Sequence, residues 1–420
     1  MLRRLLLASS GAGSFTAPPA PATVINISAA PYGTGTDIQW PLATRLASGL
    51  VVFGIIQGED DPNDVGVIAY DPDTDTMTGP VELWDQLNEG SSTTPDTHNQ
   101  PAVAELPDGR VMVAVVGHQA STIRVWTFDT PGGISGGVTG PVEITSSYTL
   151  TYVQLGVMST GRVYLRVRGL NGGQAEILQW YSDDAGETWD IGTRFFTAET
   201  NNIYSAFVCD GEWIDQIIVP RAADYAPGWP MLHVRSDADG AVYRSDGTEI
   251  TGFSYPLAVS DLTEVFADGT KRNPRGLTPV PGDLPVVAWD SAQANPVLMG
   301  ESIYDAGWEA ETVATSVPVY SFASSTGGNK HAYNNPNLMF YGKVLGSDPV
   351  DDGGSIEMFR SEKTAGVWDG GTQITFDGEN PYGPFPIANN DDSLVIAWTV
   401  GDQAPADGDP FSLRLQGIAT

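Results

Sequence analysis

The amino-acid sequence predicts an all-β fold assembled from repeated, blade-sized sheets, and two observations carry that expectation. The 420 residues are rich in Gly, Pro, Thr, Val and aromatics, and no segment holds a long apolar stripe at helical spacing. In addition, a turn containing Gly or Asp recurs ahead of a short run of β-forming residues. The copies are Ser48-Gly49 before residues 50–56, Asp108-Gly109 before 110–116, Thr160-Gly161 before 162–168, Asp210-Gly211 before 212–219, Gly282-Asp283 before 284–289, Asn335-Pro336 before 337–344 and Asp391-Asp392 before 393–399. They recur at intervals of roughly 50 to 70 residues, the period of four-stranded β-propeller blades. Seven blades are therefore favoured, with six as the alternative. Length alone would allow two or three domains, but a propeller grows by adding blades. The expected organisation is an arm with a Pro-rich spacer over residues 1–22 and a single propeller over 23–420.

Taken in chain order, the arm comes first. Arg3 and Arg4 precede three leucines, as in a secretory leader, but the apolar run gives way at once to Ser and Gly and then to Ala17-Pro18-Pro19-Ala20-Pro21. A leader core needs about 7 to 15 apolar residues, so no signal peptide is expected. The short arm and spacer resemble the attachment arms that begin some bacteriophage tail proteins. That resemblance implies a virion-associated or extracellular location, with other virion tail proteins as partners. No segment is apolar enough to predict membrane insertion. A net charge of −32 makes phosphate neutralisation improbable, which excludes nucleic acid as an expected partner. The Asp-rich turns at Glu59-Asp60-Asp61 and Asp71-Pro72-Asp73-Thr74-Asp75 lack an EF-hand loop and read as plain turns. No cofactor is predicted, and a structural Ca²⁺ or Zn²⁺ is the alternative left open. Cys209 is the single cysteine, which precludes an intrachain disulfide and reads as a buried small hydrophobe.

Residues 181–189 read Tyr-Ser-Asp-Asp-Ala-Gly-Glu-Thr-Trp and contain Ser-x-Asp-x-Gly-x-Thr-Trp without a mismatch. The pattern resembles the Asp-box of sialidase-like, BNR-repeat propellers. Ser182, Asp184 and Thr188 would satisfy backbone N–H groups of a tight turn, Gly186 would supply a φ that other residues resist, and Trp189 would plug the blade. The resemblance implies that the box is structural and lies away from the ligand-binding end. Degenerate boxes at residues 361–368 and 304–308 support the repeat.

The chain has four histidines. His98, in Thr97-His98-Asn99-Gln100-Pro101-Ala102, and His118, in Val116-Gly117-His118, flank the first strands of one blade, and imidazole titrates near neutral pH. The next blade opens with Tyr152-Val153-Gln154 and continues with Arg162-Val163-Tyr164-Leu165-Arg166-Val167-Arg168 before the Asp-box. In order and approximate spacing, this set is similar to the BNR-type propeller lyases that cleave uronate-containing polysaccharides, the ulvan lyases among them. The resemblance covers roughly residues 96 to 190. It implies that His98 or His118, together with Tyr152, acts at the scissile sugar and that Arg168 neutralises the uronate carboxylate. Asn99, Arg110, Arg166, His331 and Tyr333 are the accompanying candidates for substrate binding. A clustered positive pocket from Arg110, Arg124, Arg166 and Arg168 is expected, because an acidic protein that binds a polyanion must offset its own field locally. His331 and Tyr333, in residues 330–336, either line the central cavity or belong to an Asn-rich turn, and His233 reads as core.

The implied chemistry is β-elimination. Removing a weakly acidic proton beside a carboxylate needs a cation to hold that carboxylate and the charge that develops, with a base and an acid flanking the ring. Which of the phenol and the imidazoles is acid and which is base stays open. Two alternatives remain. One is a non-catalytic glycan-binding or structural propeller of a phage tail, using tryptophans such as Trp229 against sugars. The other is a sialidase-like hydrolase, disfavoured because only Arg45 lies between Arg4 and Arg110, where an early Arg motif belongs.

Overall fold

The computed structural model describes residues 24–26, 32–33, 41–57, 64–85, 97–198, 200, 202–221, 229–252, 255–266, 272–280, 282–291, 297–316, 329–332, 335–345, 355–376, 381–389, 394, 396–400 and 414–418. The protein is an all-β propeller. Its strands form antiparallel sheets, most of them pairing with neighbours in sequence.

The sequence repeats are the inner hairpins of these sheets. Ser48-Gly49 links Ala43–Arg45 to Val51–Gln57, Asp108-Gly109 links Ala102–Glu105 to Val111–Val116, and Asp210-Gly211 links Ile203–Cys209 to Trp213–Pro220. Gly49, Gly109, Gly161 and Gly211 sit at φ between 83° and 98°, where a side chain is strained, which is why a glycine marks these four turns, whereas Asn335-Pro336 has none and begins the strand Asn335–Leu345. Asp391-Asp392 lies outside the described residues.

The strand after a turn is largely apolar where both of its faces are covered, although Arg166 interrupts Val163–Asn171 and Asp215 interrupts Trp213–Pro220. In Val111–Val116, Val111, Val113 and Val115 pack toward Val52, Val65 and Val67 of the preceding sheet. Met112, Ala114 and Val116 pack toward Val153, Leu155 and Leu165 of the following one. Alternation therefore separates two interfaces rather than core from solvent. Each fully buried Val stabilises the ring by roughly 1.5–3 kcal/mol.

Two sheets are joined by the 20-residue strand Val138–Val157. Its first part pairs with Ala120–Phe128 and its second with Val163–Asn171, and Leu150 is the hinge, registered against both Ala120 and Gly169. Dividing the seven-stranded sheet there leaves groups of four or five strands around the ring, seven in number among the described residues. The last group, Pro381–Pro386, Ile396–Val400 and Arg414–Ile418, takes a fourth strand, Val24–Asn26, from the start of the chain. Thr44 bridges Ala388, and Phe53 packs on Phe385, so the first and last sheets also meet.

Candidate active site

The strand hinge positions the site. Immediately after Leu150, the ladder pairs Thr151 with Arg168 and Val153 with Val167, and skips Tyr152. Tyr152 is the extra residue of a bulge, with φ at 65°, and the bulge turns its side chain out of the alternation and into a cavity. The cavity has a volume of about 280 Å³ and is lined from three successive groups of strands, with His98, His118 and Gln119 from the first, Tyr152 and Arg168 from the second and Tyr204 from the third.

The histidines arrive from the preceding blade. His98 lies in the 3₁₀ turn Thr97–Asn99, and His118 follows Val111–Val116. Their rings stack with centroids 4.0 Å apart and 17° between planes, and the His98 ring lies 5.4 Å from that of Tyr152. Gly117 is required ahead of His118, because a Cβ there would come within 2.9 Å of the Trp84 ring and 3.2 Å of Ala120 Cβ. Asn99 is buried, and its Oδ1 accepts the His118 N–H at 2.5 Å. The Arg168 guanidinium stands 4.5 Å above the Tyr152 ring and 5.6 Å from that of Tyr204, with Nη1 3.5 Å from Asn202 Oδ1. One cavity thus gathers two imidazoles, two phenols and a guanidinium. None of the described residues that line it is Asp or Glu.

Four candidates that sequence alone placed together, His98, His118, Tyr152 and Arg168, share this cavity. Others do not. Arg110 sits at the far end of Val111–Val116, about 20 Å away along the strand, with its Nε 2.7 Å from Asp108. Arg166 shares a strand face with Arg168, as alternation requires, but that face turns into the neighbouring blade. It is fully buried, donates to Gln179, Gln216 and Ser236, and lies 3.8 Å over the Phe195 ring. Burial pulls its guanidinium down to about 10. Arg166 therefore joins blades rather than binding substrate. Arg124 pairs with Glu143 and stacks on Trp84, so the expected four-arginine cluster reduces to Arg168 within the cavity. Asn99 supports the His118 backbone instead of lining the site. His331 lies in Asn329–Ala332, registered with Met339, and Tyr333 falls outside the described residues.

Sequence reasoning missed Gln119, Thr151 and Tyr204. Tyr204 was within reach, since it begins the inner strand Ile203–Cys209 just as Tyr152 begins the inner part of its own strand. Trp229 carries the Arg221 guanidinium 4.8 Å over its ring, and the same guanidinium lies 3.9 Å over Tyr204.

The Asp-box closes the hairpin between Gln174–Ser182 and Thr193–Thr197, at the end opposite Ala175, which lines the cavity. Ser182 Oγ donates to Asp184 and accepts the Gly186 N–H at 2.9 Å. Thr188 differs from expectation in that it donates, through both N–H and hydroxyl, to the Asp184 carboxylate. Those two bonds, Thr188 hydroxyl first, hold Asp184 below the usual carboxylate range. Gly186 sits at φ 87°, with Met112 where its Cβ would be, and Trp189 packs on the blade core. His233 is fully buried, and burial pushes the Cys209 thiol up to about 12, so neither belongs to the site.

A family model described as "BNR repeat-containing family member" matches residues 69–314. No curated protein matches the chain by sequence. Among solved structures, an ulvan lyase described as a new family of polysaccharide lyase and bound to GlcA(1-4)Rha3S superposes with a TM-score of 0.68. It is 13% identical, and the match covers 94% of this chain and 95% of that one. The polysaccharide lyase Uly1 superposes with a TM-score of 0.59 at 14% identity, covering 93% of this chain and 91% of its own. At these identities the likeness is one of fold.

Proposed function

The chain belongs to the BNR repeat-containing family, and from that premise we propose that it is a polysaccharide lyase that cleaves a uronate-containing polymer by β-elimination. The observation that carries the reading is the shared cavity, in which a phenol lies between a guanidinium and a stacked imidazole pair with no carboxylate on the wall. Hydrolysis of a glycosidic bond by the common routes needs two carboxyl groups flanking it, and this wall offers none among its described residues. Elimination needs a cation, a base and an acid, and all three types are present.

In this reading Arg168 holds the uronate carboxylate and offsets the charge that spreads onto it as the neighbouring C–H proton leaves. Tyr152 and the His98–His118 pair flank the bound sugar, one to take that proton and one to give a proton to the departing glycosidic oxygen. The electron pair of the broken C–H bond becomes the new C=C bond, and the C–O bond to the leaving sugar breaks. The Arg168 guanidinium over the ring and the His98 and Tyr204 rings beside it hold the phenol in place, so its position does not have to be established during the reaction. Asn99 contributes at one remove, by fixing the backbone of His118.

The test is direct. Purified protein mixed separately with ulvan, alginate, pectin and glycosaminoglycans should give the ultraviolet absorbance of an unsaturated uronate with at least one polymer. Tyr152→Phe should lower that signal by about 10²- to 10⁴-fold while leaving polymer binding intact. Binding without absorbance for every polymer would replace the lyase with a glycan-binding propeller.

A further inference from the structure

We propose that Thr151 is a positioning residue for the reaction, a hydroxyl that ties the histidine-bearing turn to the bulge presenting Tyr152. The proposal rests on the lyase reading above. Seven non-glycine residues among those described have left-handed φ, and two of them, Gln119 at 58° and Tyr152 at 65°, line the cavity. Side chains other than Gly, Asn and Asp rarely adopt that backbone region, so each position has to be held by its surroundings. The two residues belong to different sheets' worth of hairpins, on either side of the strand hinge, yet one side chain connects them. Gln119 N–H donates to Thr151 Oγ1 at 3.3 Å, and Thr151 Oγ1 donates to the Leu150 carbonyl at 2.7 Å.

Thr151 is placed for this by its neighbours on every side. Its ladder partner is Arg168, the residue before it is the hinge Leu150, and the residue after it is the bulged Tyr152. Gln119 follows His118, whose own N–H is held by Asn99. Thr151 is 2% exposed, so little solvent reaches its side chain. The chain of contacts therefore runs from the imidazole pair, through Gln119 and Thr151, to the phenol and the guanidinium. The hydroxyl fixes the spacing between the proton-handling groups on the two sides of the cavity without touching the reacting atoms itself.

Thr151→Val keeps the shape of the side chain and removes the link. Geometry at a reacting centre is sensitive enough that kcat should fall by about 10- to 100-fold, with KM changed by no more than about threefold. Thr151→Ser, which restores the hydroxyl, should recover kcat. The double variant Thr151→Val/Tyr152→Phe should be no slower than Tyr152→Phe, because Thr151 acts through that phenol. Full kcat in T151V, or losses that multiply in the double variant, would overturn the proposal. A measurement independent of turnover separates its failure from failure of the lyase reading. In protein carrying ¹³C-labelled tyrosine, with Tyr152 assigned by comparison with Y152F, the Tyr152 ring resonances should shift or broaden in T151V and not in T151S. If the wild-type chain cleaves no uronate polymer, the lyase reading falls and these resonances alone decide the tether; unchanged resonances in T151V would sink it.

Discussion

Tyr152 illustrates how one backbone dihedral turns a strand residue out of the alternation and into a cavity. An ordinary strand would bury it between blades, whereas the skipped register and φ of 65° aim it at His98 and under Arg168. Tyr152→Phe keeps the packed ring and deletes only the hydroxyl, so kcat should drop by about 10²- to 10⁴-fold with little change in melting temperature, read from product absorbance and calorimetry. Arg166→Met should behave oppositely. It leaves Gln179, Gln216 and Ser236 facing an apolar chain and should lower stability by at least about 2 kcal/mol in denaturant titrations, with kcat nearly unchanged in the folded fraction. These two residues also mark how far the site was legible in sequence. His98, His118, Tyr152 and Arg168 were grouped through their resemblance in order and approximate spacing to the propeller lyases, and consecutive blades do put equivalent strand ends at one rim. Alternation correctly put Arg166 on the face of Arg168, but a face says nothing of depth. Two residues deeper along the strand, that face meets the next blade instead of the cavity.

At the level of elements, turns and inner strands were legible and the joins between sheets were not. A glycine forced to positive φ is a local requirement that leaves a mark at most copies, whereas the strand Val138–Val157 changes partners at Leu150, a switch that no local pattern displays. The Asp-box was readable for the same local reason, and its role can be tested apart from the site. Ser182→Ala removes the acceptor of the buried Gly186 N–H and should cost about 1–3 kcal/mol of stability while leaving polymer cleavage by the folded protein unaltered. A second element carries a pH dependence. Asp215, buried on Trp213–Pro220, accepts from His233 Nε2 at 2.9 Å and from Arg235 Nε at 2.7 Å, while His233 Nδ1 meets Ser245 Oγ, which also accepts the Trp308 indole N–H. Burial by itself would raise the Asp215 carboxyl, but the bonds from His233 and Arg235 outweigh it and hold the group below the usual carboxylate range. A carboxyl lowered by folding contributes stability above its unfolded value and loses it as pH falls through the folded one. Unfolding free energy should therefore decline below about pH 4 more steeply in the wild type than in Asp215→Asn, which should already be destabilised at pH 7. Equal slopes in the two proteins would remove Asp215 from the account.

Across the whole molecule, the ring is closed by a strand from one end of the chain on strands from the other, and the acidic surface surrounds a small basic cavity. The formal charge of −32 would repel an acidic polymer at long range, while Arg168 would attract its carboxylates only at contact. Salt separates the two effects. Between 10 and 150 mM ionic strength the screening length shrinks from about 30 Å to about 8 Å, which suppresses the repulsion between polymer and surface but leaves a guanidinium–carboxylate contact largely intact. KM for an acidic polymer should therefore fall as salt rises across this range, with kcat nearly constant because the chemistry takes place inside the cavity. In Arg168→Ala the contact is gone and the repulsion is not, so KM should be higher at every salt concentration yet fall with salt by a similar factor. A wild-type KM that rises with salt would mean that a positive field reaches well beyond the cavity, which the scattering of Arg110, Arg124 and Arg166 away from Arg168 argues against.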